Sequence, residues 1–408
     1  MTFARPLAGI KIVDFGHTVM GPSCAMILAD LGADVLKIEP SPGGDPTRRL
    51  KGFGTGYFGY FNRNKKSIAV DLKTEDGLAI ARRIIADADV LIENFGPGTM
   101  ERLGLDYASL RDDNPRLVYA SLKGFFDGPY GNRMALDEIV QMMTGLAYMT
   151  GPKGRPLRAG ASVVDIAGGM FAVIGIQAAL RQRDATGRGS FVGSALYESA
   201  VFLMGQHLCY AAQSDAPVPP MPERVSAWAV YEIFEIANDG QLFVGITSDQ
   251  HWQRFCAAAG LDDLAADAEL AANNGRIGAR PRLIPRLAEF FRGLDLSAAI
   301  ALCEQARIPF AEVRRPEDLF DDPHLVATGG LVPVTLPDGT RVGLPRLPIQ
   351  MDGLSREATS PPAIGEQTRE VLADLGYSAR TIEDLLKRGV IAAPSAASLR
   401  AASGVDAL

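Results

Sequence analysis

Strand-like and helix-like segments alternate through the first half of the chain, and this alternation limits the fold more than any other feature of the sequence. The first strand-like segment (GIKIVDF) ends at Phe15, and the helix-like run that follows begins at Pro22 and ends before Gly32. In all, the predicted strands cover residues 9–15, 34–39, 90–93 and 117–122, and the predicted helices cover residues 22–31 and 76–88. Strands that alternate with helices predict the α/β class, with a parallel sheet covered by helices on both faces.

The pattern changes near residue 225. Two strand-like runs, 230–236 and 241–247, flank the dipeptide Asp239–Gly240, which favours a β-hairpin turn. Ala-rich helical segments follow as far as Cys303. We therefore predict a second, smaller α+β domain over residues 225–325, and a flexible Ala- and Ser-rich tail over residues 392–408.

Composition narrows the range of partners. The 408 residues carry a formal net charge of −7, which gives no electrostatic reason to expect a nucleic acid ligand. The four cysteines, Cys24, Cys209, Cys256 and Cys303, are far apart, so neither a disulfide framework nor a structural metal site is expected. We recognise no secretory leader and no uninterrupted apolar run long enough to cross a bilayer. A soluble cytoplasmic protein without a membrane partner is therefore predicted.

Two loops that follow predicted strands have features of a ligand site. The first runs from Gly16 to Pro22 and contains His17 and Val19. The second (ENFGPG) contains Asn94 and Gly96. Ligands of open α/β sheets bind at the carboxyl ends of strands, next to helix N-termini. Each loop taken alone is also compatible with a plain strand-to-helix turn, and the dinucleotide fingerprint GxGxxG is absent, which disfavours a nicotinamide enzyme.

Asp165 allows two interpretations. It lies in the segment GASVVDIAGGM, directly before an apolar helical run predicted over residues 170–180. A carboxylate at that position either caps the helix N-terminus or carries a function. The small residues around it leave room for a ligand, but the sequence pattern alone does not decide between the two.

Several segments, taken in order, resemble the class III CoA-transferase family, which includes formyl-CoA transferase, carnitine-CoA transferase and α-methylacyl-CoA racemase. The segments are VDFGHTVMGPSCAMILADLGADVLKIEP, NRNKKSIAVDLKTEDG, ENFGPGTMERLG, YASLKGF, LDEIVQMMTG, GASVVDIAGGM, GRGSFVGSALYES and GEQTREVLADLGYS. The resemblance implies a Rossmann-like large domain formed by both ends of the chain, here residues 1–200 and 326–391. It also implies an interlocked homodimer.

The resemblance also implies roles for individual residues. Asp165 matches the family's catalytic aspartate. Asn94 and Arg102 match residues that contact coenzyme A in formyl-CoA transferase, and Lys73 matches another. The complete predicted set of coenzyme A-binding residues is His17, Val19, Lys73, Asn94, Gly96, Arg102 and Asp137. Two departures, Val19 in place of a glutamine and Pro40 in place of an adenine-contacting arginine, argue against exchange between formate and oxalate.

The implied function is CoA transfer from an acyl-CoA to a carboxylic acid, with a C4 or C5 dicarboxylate as the expected acceptor. Asp165 would pass through an acyl anhydride and an aspartyl-CoA thioester, with the Gly168–Gly169 amides as candidate oxyanion donors and with no metal. The first alternative is α-methylacyl-CoA racemase. The racemase motif Gly-His-Asp corresponds here to Ala135–Leu136–Asp137, so its histidine base is missing. The second alternative is a non-catalytic CoA-binding protein.

Overall fold

The structure is a computed structural model that describes residues 4–223, 227–355 and 357–394. The strands in these ranges are β1 (Lys11–Asp14), β2 (Asp34–Glu39), β3 (Lys65–Val70), β4 (Val90–Glu93), β5 (Val118–Lys123), β6 (Phe191–Ala195), β7 (Val230–Glu235), β8 (Gln241–Ile246), β9 (Phe310–Glu312), β10 (Leu331–Thr335), β11 (Arg341–Pro345) and β12 (Ile391–Ala392).

The α-helices are α1 (Met20–Asp30), α2 (Thr55–Phe61), α3 (Glu75–Ala86), α4 (Thr99–Leu103), α5 (Tyr107–Leu110), α6 (Asp137–Met143), α7 (Leu146–Thr150), α8 (Val163–Thr186), α9 (Leu196–Leu203), α10 (Gly205–Gln213), α11 (Asp249–Ala259), α12 (Asp262–Ala266), α13 (Asn273–Gly278), α14 (Arg280–Arg292), α15 (Leu296–Ala306), α16 (Pro323–Thr328), α17 (Thr368–Asp374) and α18 (Ala379–Lys387). The chain divides into two compact units, one of Met1–Pro220 with Pro323–Leu408 and one of Met221–Asp322.

The larger unit is built on a seven-stranded sheet with the order β12-β3-β2-β1-β4-β5-β6. Strands β1 to β6 are all parallel, and only the short edge strand β12 is antiparallel to its neighbour. The order 3-2-1-4-5-6 is that of doubly wound dinucleotide-binding folds, in which the chain reverses direction across the sheet between β1 and β4. The predicted α/β class with a large parallel sheet is therefore confirmed.

Helices cover both faces of this sheet. On one face, α1 and α8 pack on apolar residues of the central strands, such as Ile12, Val90 and Val118. On the other face, α3, α17 and α18 pack on the alternate residues, such as Val13 and Leu91. Because successive side chains of a strand point to opposite faces, strands buried on both sides are largely apolar, which explains the run Val90–Ile92 in β4.

Helix α8 differs from the prediction. It begins at Val163, seven residues before the predicted start at residue 170, and extends for 24 residues. Asp165 is therefore the third residue inside the helix and not a residue in front of it. By length and composition alone α8 could cross a bilayer, contrary to the expectation from sequence, but a core helix passes the same test. Gly169 lies so close to Ser23 and Cys24 of α1 that a Cβ there would overlap both.

The smaller unit has its own core. Strands β7, β8 and β9 form an antiparallel sheet that contains the predicted β7–β8 hairpin, but the turn residues are Asn238 and Asp239, one residue before the predicted Asp239–Gly240. Both turn residues have positive φ, 62° and 58°, the conformation that a tight hairpin turn requires. Helices α11, α14 and α15 pack on the sheet through a cluster that contains Trp252 and Phe291.

One boundary of the predicted tail was wrong. Ala392, predicted to begin a flexible tail, pairs with Ala69 in the antiparallel edge strand β12. Thr368 reaches the same edge, since its side-chain oxygen accepts a hydrogen bond from the Ala69 N–H and donates one to the Ala392 carbonyl. Residues 395–408 of the predicted tail lie outside the described residues, as do residues 225 and 226 of the predicted small domain.

Candidate active site

A cavity of about 180 Å³ lies at the carboxyl ends of β1, β4 and β5, where the chain reverses direction across the sheet. Its lining comes from the β1–α1 loop, the β4–α4 loop, the end of β5 with the segment before α6, and the start of α8 and α9. The lining residues are His17, Thr18, Val19, Met20, Asn94, Phe95, Gly96, Pro97, Leu122, Lys123, Gly124, Gly131, Arg133, Met134, Ala135, Leu136, Asp165 and Leu196. This is where a doubly wound sheet holds its ligand.

A larger hollow of about 540 Å³ lies elsewhere in the same unit, lined by Asp30, Arg63, Asn64 and residues from β10 to Ala358. Its innermost charges already neutralise each other, because Arg63 and Asp30 form an ion pair of 2.7 Å. Size alone would favour this hollow or another of about 570 Å³, which is lined by residues of α8 and β6 such as Gly175 and Phe191. We assign the site to the smaller cavity because it lies at the strand ends and contains an unpaired carboxylate.

The β1–α1 loop is held by the side chain of Asn94. The Asn94 Oδ1 accepts a hydrogen bond from the His17 N–H at 2.8 Å, and the Asn94 Nδ2 donates one to the His17 carbonyl at 3.0 Å. The His17 ring stacks on Phe95, and burial lowers the pKa of His17. Thr18 follows in the left-handed region with φ 64°, a strained conformation that a non-glycine residue adopts only when its surroundings fix it. Both loops therefore form one rigid wall of the cavity.

Buried charges support the loop from below. The Lys65 Nζ donates to Asp14 Oδ2 at 2.8 Å, and the Lys37 Nζ lies 2.9 Å from Asp45 Oδ2. The same Lys37 ammonium donates to the Gly16 carbonyl, at the start of the loop. Burial lowers the pKa of Lys65 to about 8, with Asp14 acting in the opposite direction. Because an unpaired buried charge is costly, these pairs fix the loop where it leaves the sheet.

Asp165 is the carboxylate of the cavity. Its side chain forms no hydrogen bond or ion pair with any residue that the structure describes. Burial, and after it the negative charge of Asp137, raise the pKa of Asp165 to about 7, while Arg158 acts in the opposite direction. The group is thus a carboxylate of raised basicity that faces a cavity and has no structural partner.

The helix cap is supplied by Asp137 and not by Asp165. Asp137 is buried at the first position of α6, and its Oδ2 accepts hydrogen bonds from the N–H groups of Val164 (2.8 Å) and Asp165 (3.1 Å). Ser162, the residue that precedes α8, makes no side-chain cap. The interpretation of Asp165 as the N-cap of α8 is therefore wrong.

The structure brings together five of the predicted site residues and leaves three apart. Asp165, His17, Val19, Asn94 and Gly96 line the cavity. Three others do not: Asp137 points to the α8 backbone, Lys73 is exposed beyond β3, and Arg102 bonds Thr99 within α4.

The proposed oxyanion donors were wrong. Gly168 and Gly169 lie inside α8, where each N–H has a carbonyl partner one turn earlier, and both glycines are buried against α1. Their small size serves close helix packing. Met20, the first residue of α1, lines the cavity instead, and the first amides of a helix have no partner within it.

Two cationic residues of the cavity were not selected from the sequence. Lys123 lies at the end of β5 and forms a 2.7 Å ion pair with the buried Glu93. Arg133 stacks on the Tyr130 ring and has no ion-pair partner among the described residues. The strand-end position of Lys123 within YASLKGF was a usable signal, whereas nothing in the local pattern around Arg133 distinguished it.

Comparisons with known sequences show the family of the chain. The sequence model described as "CoA-transferase family III" matches residues 7–368. The succinate–glutarate CoA-transferase of Agrobacterium fabrum (strain C58) is 34% identical, over 92% of this chain and 97% of its own. The human succinyl-CoA:glutarate CoA-transferase is 30% identical, over 96% and 91%.

Solved structures give the same result for the fold. A CAIB/BAIF family protein from Brucella suis superposes with a TM-score of 0.81 at 32% identity, covering 91% of this chain and 100% of that one. The protein Rv3272 from Mycobacterium tuberculosis gives a TM-score of 0.79 at 30% identity, covering 90% and 99%.

Proposed function

The chain belongs to CoA-transferase family III, and on that premise we propose that it moves coenzyme A from an acyl-CoA thioester to a carboxylic acid acceptor through Asp165. One observation carries the proposal. Asp165 faces the cavity at the reversal point of the sheet without a hydrogen-bond or ion-pair partner among the described residues, while a different carboxylate caps its helix. A carboxylate that only stabilised the fold would be expected to have a hydrogen bond or an ion pair.

In the proposed reaction one residue, Asp165, forms a series of covalent intermediates. An Asp165 oxygen attacks the thioester carbon of the donor, the carbon–sulfur bond breaks, and coenzyme A leaves as a thiolate, so that a mixed anhydride remains. The thiolate then attacks the Asp165 carboxyl carbon, which gives an aspartyl-CoA thioester and releases the donor acid. The acceptor carboxylate attacks that thioester, which forms a second anhydride and releases the thiolate. The thiolate then returns and attacks the carbonyl carbon that belongs to the acceptor. The products are the new acyl-CoA and free Asp165.

Each attack creates a tetrahedral oxyanion that needs hydrogen-bond donors. We propose the start of α1 for this role, since Met20 lines the cavity and the first amides of a helix are free. The positive end of the helix dipole acts in the same direction. The Asn94 clamp and the strained Thr18 hold this segment in place before substrate binds.

For the acceptor we propose a C4 or C5 dicarboxylate. The relatives from A. fabrum and human are named for succinate and glutarate. The cavity wall combines an unpaired cation, Arg133, with the apolar side chains of Val19, Met134 and Leu136. That combination suits a short chain of methylene groups with a second carboxylate at its end.

Coenzyme A contacts are proposed for the predicted residues that surround or flank the cavity. Gly96 lies in open space, so a ligand can approach its backbone closely. His17 and Val19 line the cavity wall, and Asn94 acts by orienting them because both ends of its amide are already bonded. Lys73 and Arg102, both outside the cavity, are proposed to meet the phosphates of coenzyme A.

An interlocked homodimer is proposed from the exposed apolar surface of the larger unit. The α8–α10 surface, as we name it, exposes Met170, Ile174, Phe202 and Leu208 by 53%, 63%, 70% and 57%. Exposed apolar patches of this kind mark interfaces. A second copy would cover this surface and account for the apolar character of α8. The unpaired state of all four cysteines supports a reducing cytoplasm as the location.

The test is transfer by an Asp165→Asn variant. Succinyl-CoA is incubated with glutarate, oxalate or mesaconate, and the new acyl-CoA is measured by mass spectrometry. We expect wild-type transfer to glutarate, and a loss of at least roughly a thousandfold in the variant because an amide cannot form the anhydride. Retained binding of acyl-CoA would show that the fold survives. Transfer by the variant at the wild-type rate would reject the proposal.

The racemase alternative has its own test. Leu136 lines the same cavity as Asp165, at the position where a racemase carries its histidine, and leucine cannot accept a proton. His17 also lines the cavity, so the test must be direct. With a chiral 2-methylacyl-CoA in deuterated water we expect no enzyme-dependent deuterium at the α-carbon. Rapid incorporation with inversion would establish the racemase instead.

A further inference from the structure

We propose that Asp137 is the positioning residue of this site, which fixes the backbone of Asp165 and sets a second carboxylate at the first turn of the helix that carries the nucleophile. The inference rests on the proposed function, because it assigns a role in the acylation of Asp165. It differs from the coenzyme A contact that the sequence suggested for Asp137.

The geometry places both roles on one carboxylate. The Asp137 Oδ2 accepts hydrogen bonds from the N–H of Val164 at 2.8 Å and from the N–H of Asp165 itself at 3.1 Å. Helices are ordinarily capped by the residue just before them, but Ser162 makes no side-chain bond here. The cap comes from α6, 28 residues earlier in the chain, and so ties the nucleophile to a second element.

Asp137 is itself fixed. The Gln141 Nε2 donates to Asp137 Oδ1, one turn further along α6. The Gln141 Oε1 accepts a hydrogen bond from the Ala159 N–H at 2.9 Å, in the segment that leads into α8. Both Asp137 and Gln141 are buried, with 6% and 0% of their surface exposed. The network thus binds the approach to α8 as well as its first turn, which leaves little freedom for the Asp165 backbone.

The charge of Asp137 acts on the chemistry. Next to burial, it is the main cause of the raised pKa of Asp165, and Arg158 from the segment before α8 opposes it. His17, Lys123 and Arg133 also line the cavity on its other walls. Acylation turns the anionic Asp165 into a neutral anhydride, so the repulsion from Asp137 disappears when the new bond forms. The repulsion therefore favours the covalent step and gives a more basic, more nucleophilic carboxylate.

Two substitutions separate the roles. Asp137→Asn keeps an oxygen that can accept from the two amides but removes the charge, whereas Asp137→Ala removes both. The rate of acylation is expected to rise with pH and then level off. For Asp137→Asn we expect the midpoint of this rise to move roughly one pH unit lower, and the rate at high pH to fall roughly three- to tenfold. For Asp137→Ala we expect a further fall, to roughly a hundredth of the wild-type rate, with little change in the KM for acyl-CoA.

Two further variants act as controls. Asp184→Asn makes the same change at an exposed site near the other end of α8, and it should leave rate and pH profile unchanged. Asp137→Asn combined with Gln141→Glu restores a buried negative charge one turn away and a hydrogen-bond acceptor for the new amide. We expect this double variant to move the midpoint of the pH profile part of the way back to its wild-type value.

The outcomes distinguish this inference from the proposed function. If wild-type enzyme forms no acyl adduct on Asp165, the proposed function fails and the role of Asp137 fails with it. If the adduct forms but Asp137→Asn and Asp137→Ala keep the wild-type pH profile and rates within about twofold, only the inference is overturned. Should Asp137→Ala not fold, the pH profile of Asp137→Asn still decides.

Discussion

Asp165 is placed where its charge costs stability. Its pKa lies near 7 in the fold, well above that of a free aspartate, because burial and Asp137 disfavour the ionised form. A carboxyl group with a raised pKa holds its proton longer in the folded than in the unfolded chain. The contribution of this one group therefore favours the folded state at low pH and is lost as the pH rises from about 4 to about 7.

This predicts that removing the catalytic group stabilises the protein. Asp165→Asn should raise the free energy of unfolding at pH 8 by an amount on the order of 2 kcal/mol. The unfolding temperature should rise with it. The gain should shrink as the pH falls toward 4, because the buried side chain of Asp165 is then protonated and neutral, as that of the asparagine variant is. Thermal unfolding of wild type and variant across this range measures it, with Asp184→Asn as the control. An equal difference at every pH would contradict the cause that we assign.

The same pKa predicts the pH dependence of the reaction. Only ionised Asp165 can attack a thioester, so the rate of its acylation should rise with pH and level off above about 7. Rapid mixing of enzyme with acyl-CoA in the absence of acceptor isolates this step. An acylation rate that is flat between pH 5 and pH 8 would show that the group that reacts has an ordinary carboxyl pKa.

At the scale of the elements, the contact of α1 with α8 joins the two parts of the site. Gly169 has no room for a side chain, because a Cβ there would lie 2.3 Å from the Ser23 Oγ and 3.0 Å from the Met20 carbonyl oxygen. Met20 begins α1 and lines the cavity, and Asp165 lies one turn before Gly169. The glycine therefore sets the distance between the nucleophile and the start of α1.

We predict that Gly169→Ala lowers both stability and activity. The extra methyl group should cost about 1–3 kcal/mol, since α1 and α8 must move apart. The rate of transfer should fall at least roughly tenfold, because the start of α1 would lie farther from Asp165 than it does in the wild type. Gly278→Ala, in α13 of the smaller unit, is the matched control, because nothing lies within 4 Å of a Cβ added there. Equal behaviour of the two variants in unfolding and transfer assays would contradict this account.

Local patterns in the sequence were enough to predict those elements that combine a regular run of apolar residues with turn or capping residues at their ends. Strands β2 and β4 and the β7–β8 hairpin follow from apolar runs and turn residues. The start of α8 did not, because its first turn has no local cap and looks like a loop. The cap is Asp137, which is distant in sequence, and only the fold brings it to Val164 and Asp165. The resemblance to a family placed Asp165 correctly in the cavity without explaining what surrounds it.

Several site features depend on contacts between distant residues and could not be read locally. Asn94 looked like a ligand contact, yet both ends of its amide bond the His17 backbone. Gly168 and Gly169 looked like free amides, but the early start of α8 places them inside the helix. In each case the role expected from the sequence differs from the contacts in the fold, because Asn94 bonds a loop 77 residues away and the two glycines are already bonded within α8.

At the scale of the whole molecule, the α8–α10 surface predicts an assembly. A protein that exposes these apolar side chains to water would tend to associate, and a second copy is the partner that we propose. Chains that are interlocked cannot separate without unfolding. Sedimentation at nanomolar concentration should therefore show a dimer and no folded monomer. A folded monomer, or binding to lipid vesicles through α8, would contradict the proposed assembly.

The nucleophilic role of Asp165 has the most direct test. Wild-type enzyme is incubated with succinyl-CoA, treated with hydroxylamine, digested and analysed by peptide mass spectrometry. An aspartyl anhydride or thioester reacts with hydroxylamine to give a hydroxamate, and we predict that it forms at Asp165 alone and requires the acyl-CoA. A hydroxamate at Asp137 instead, or an unmodified Asp165 in an enzyme that still transfers coenzyme A, would contradict the account.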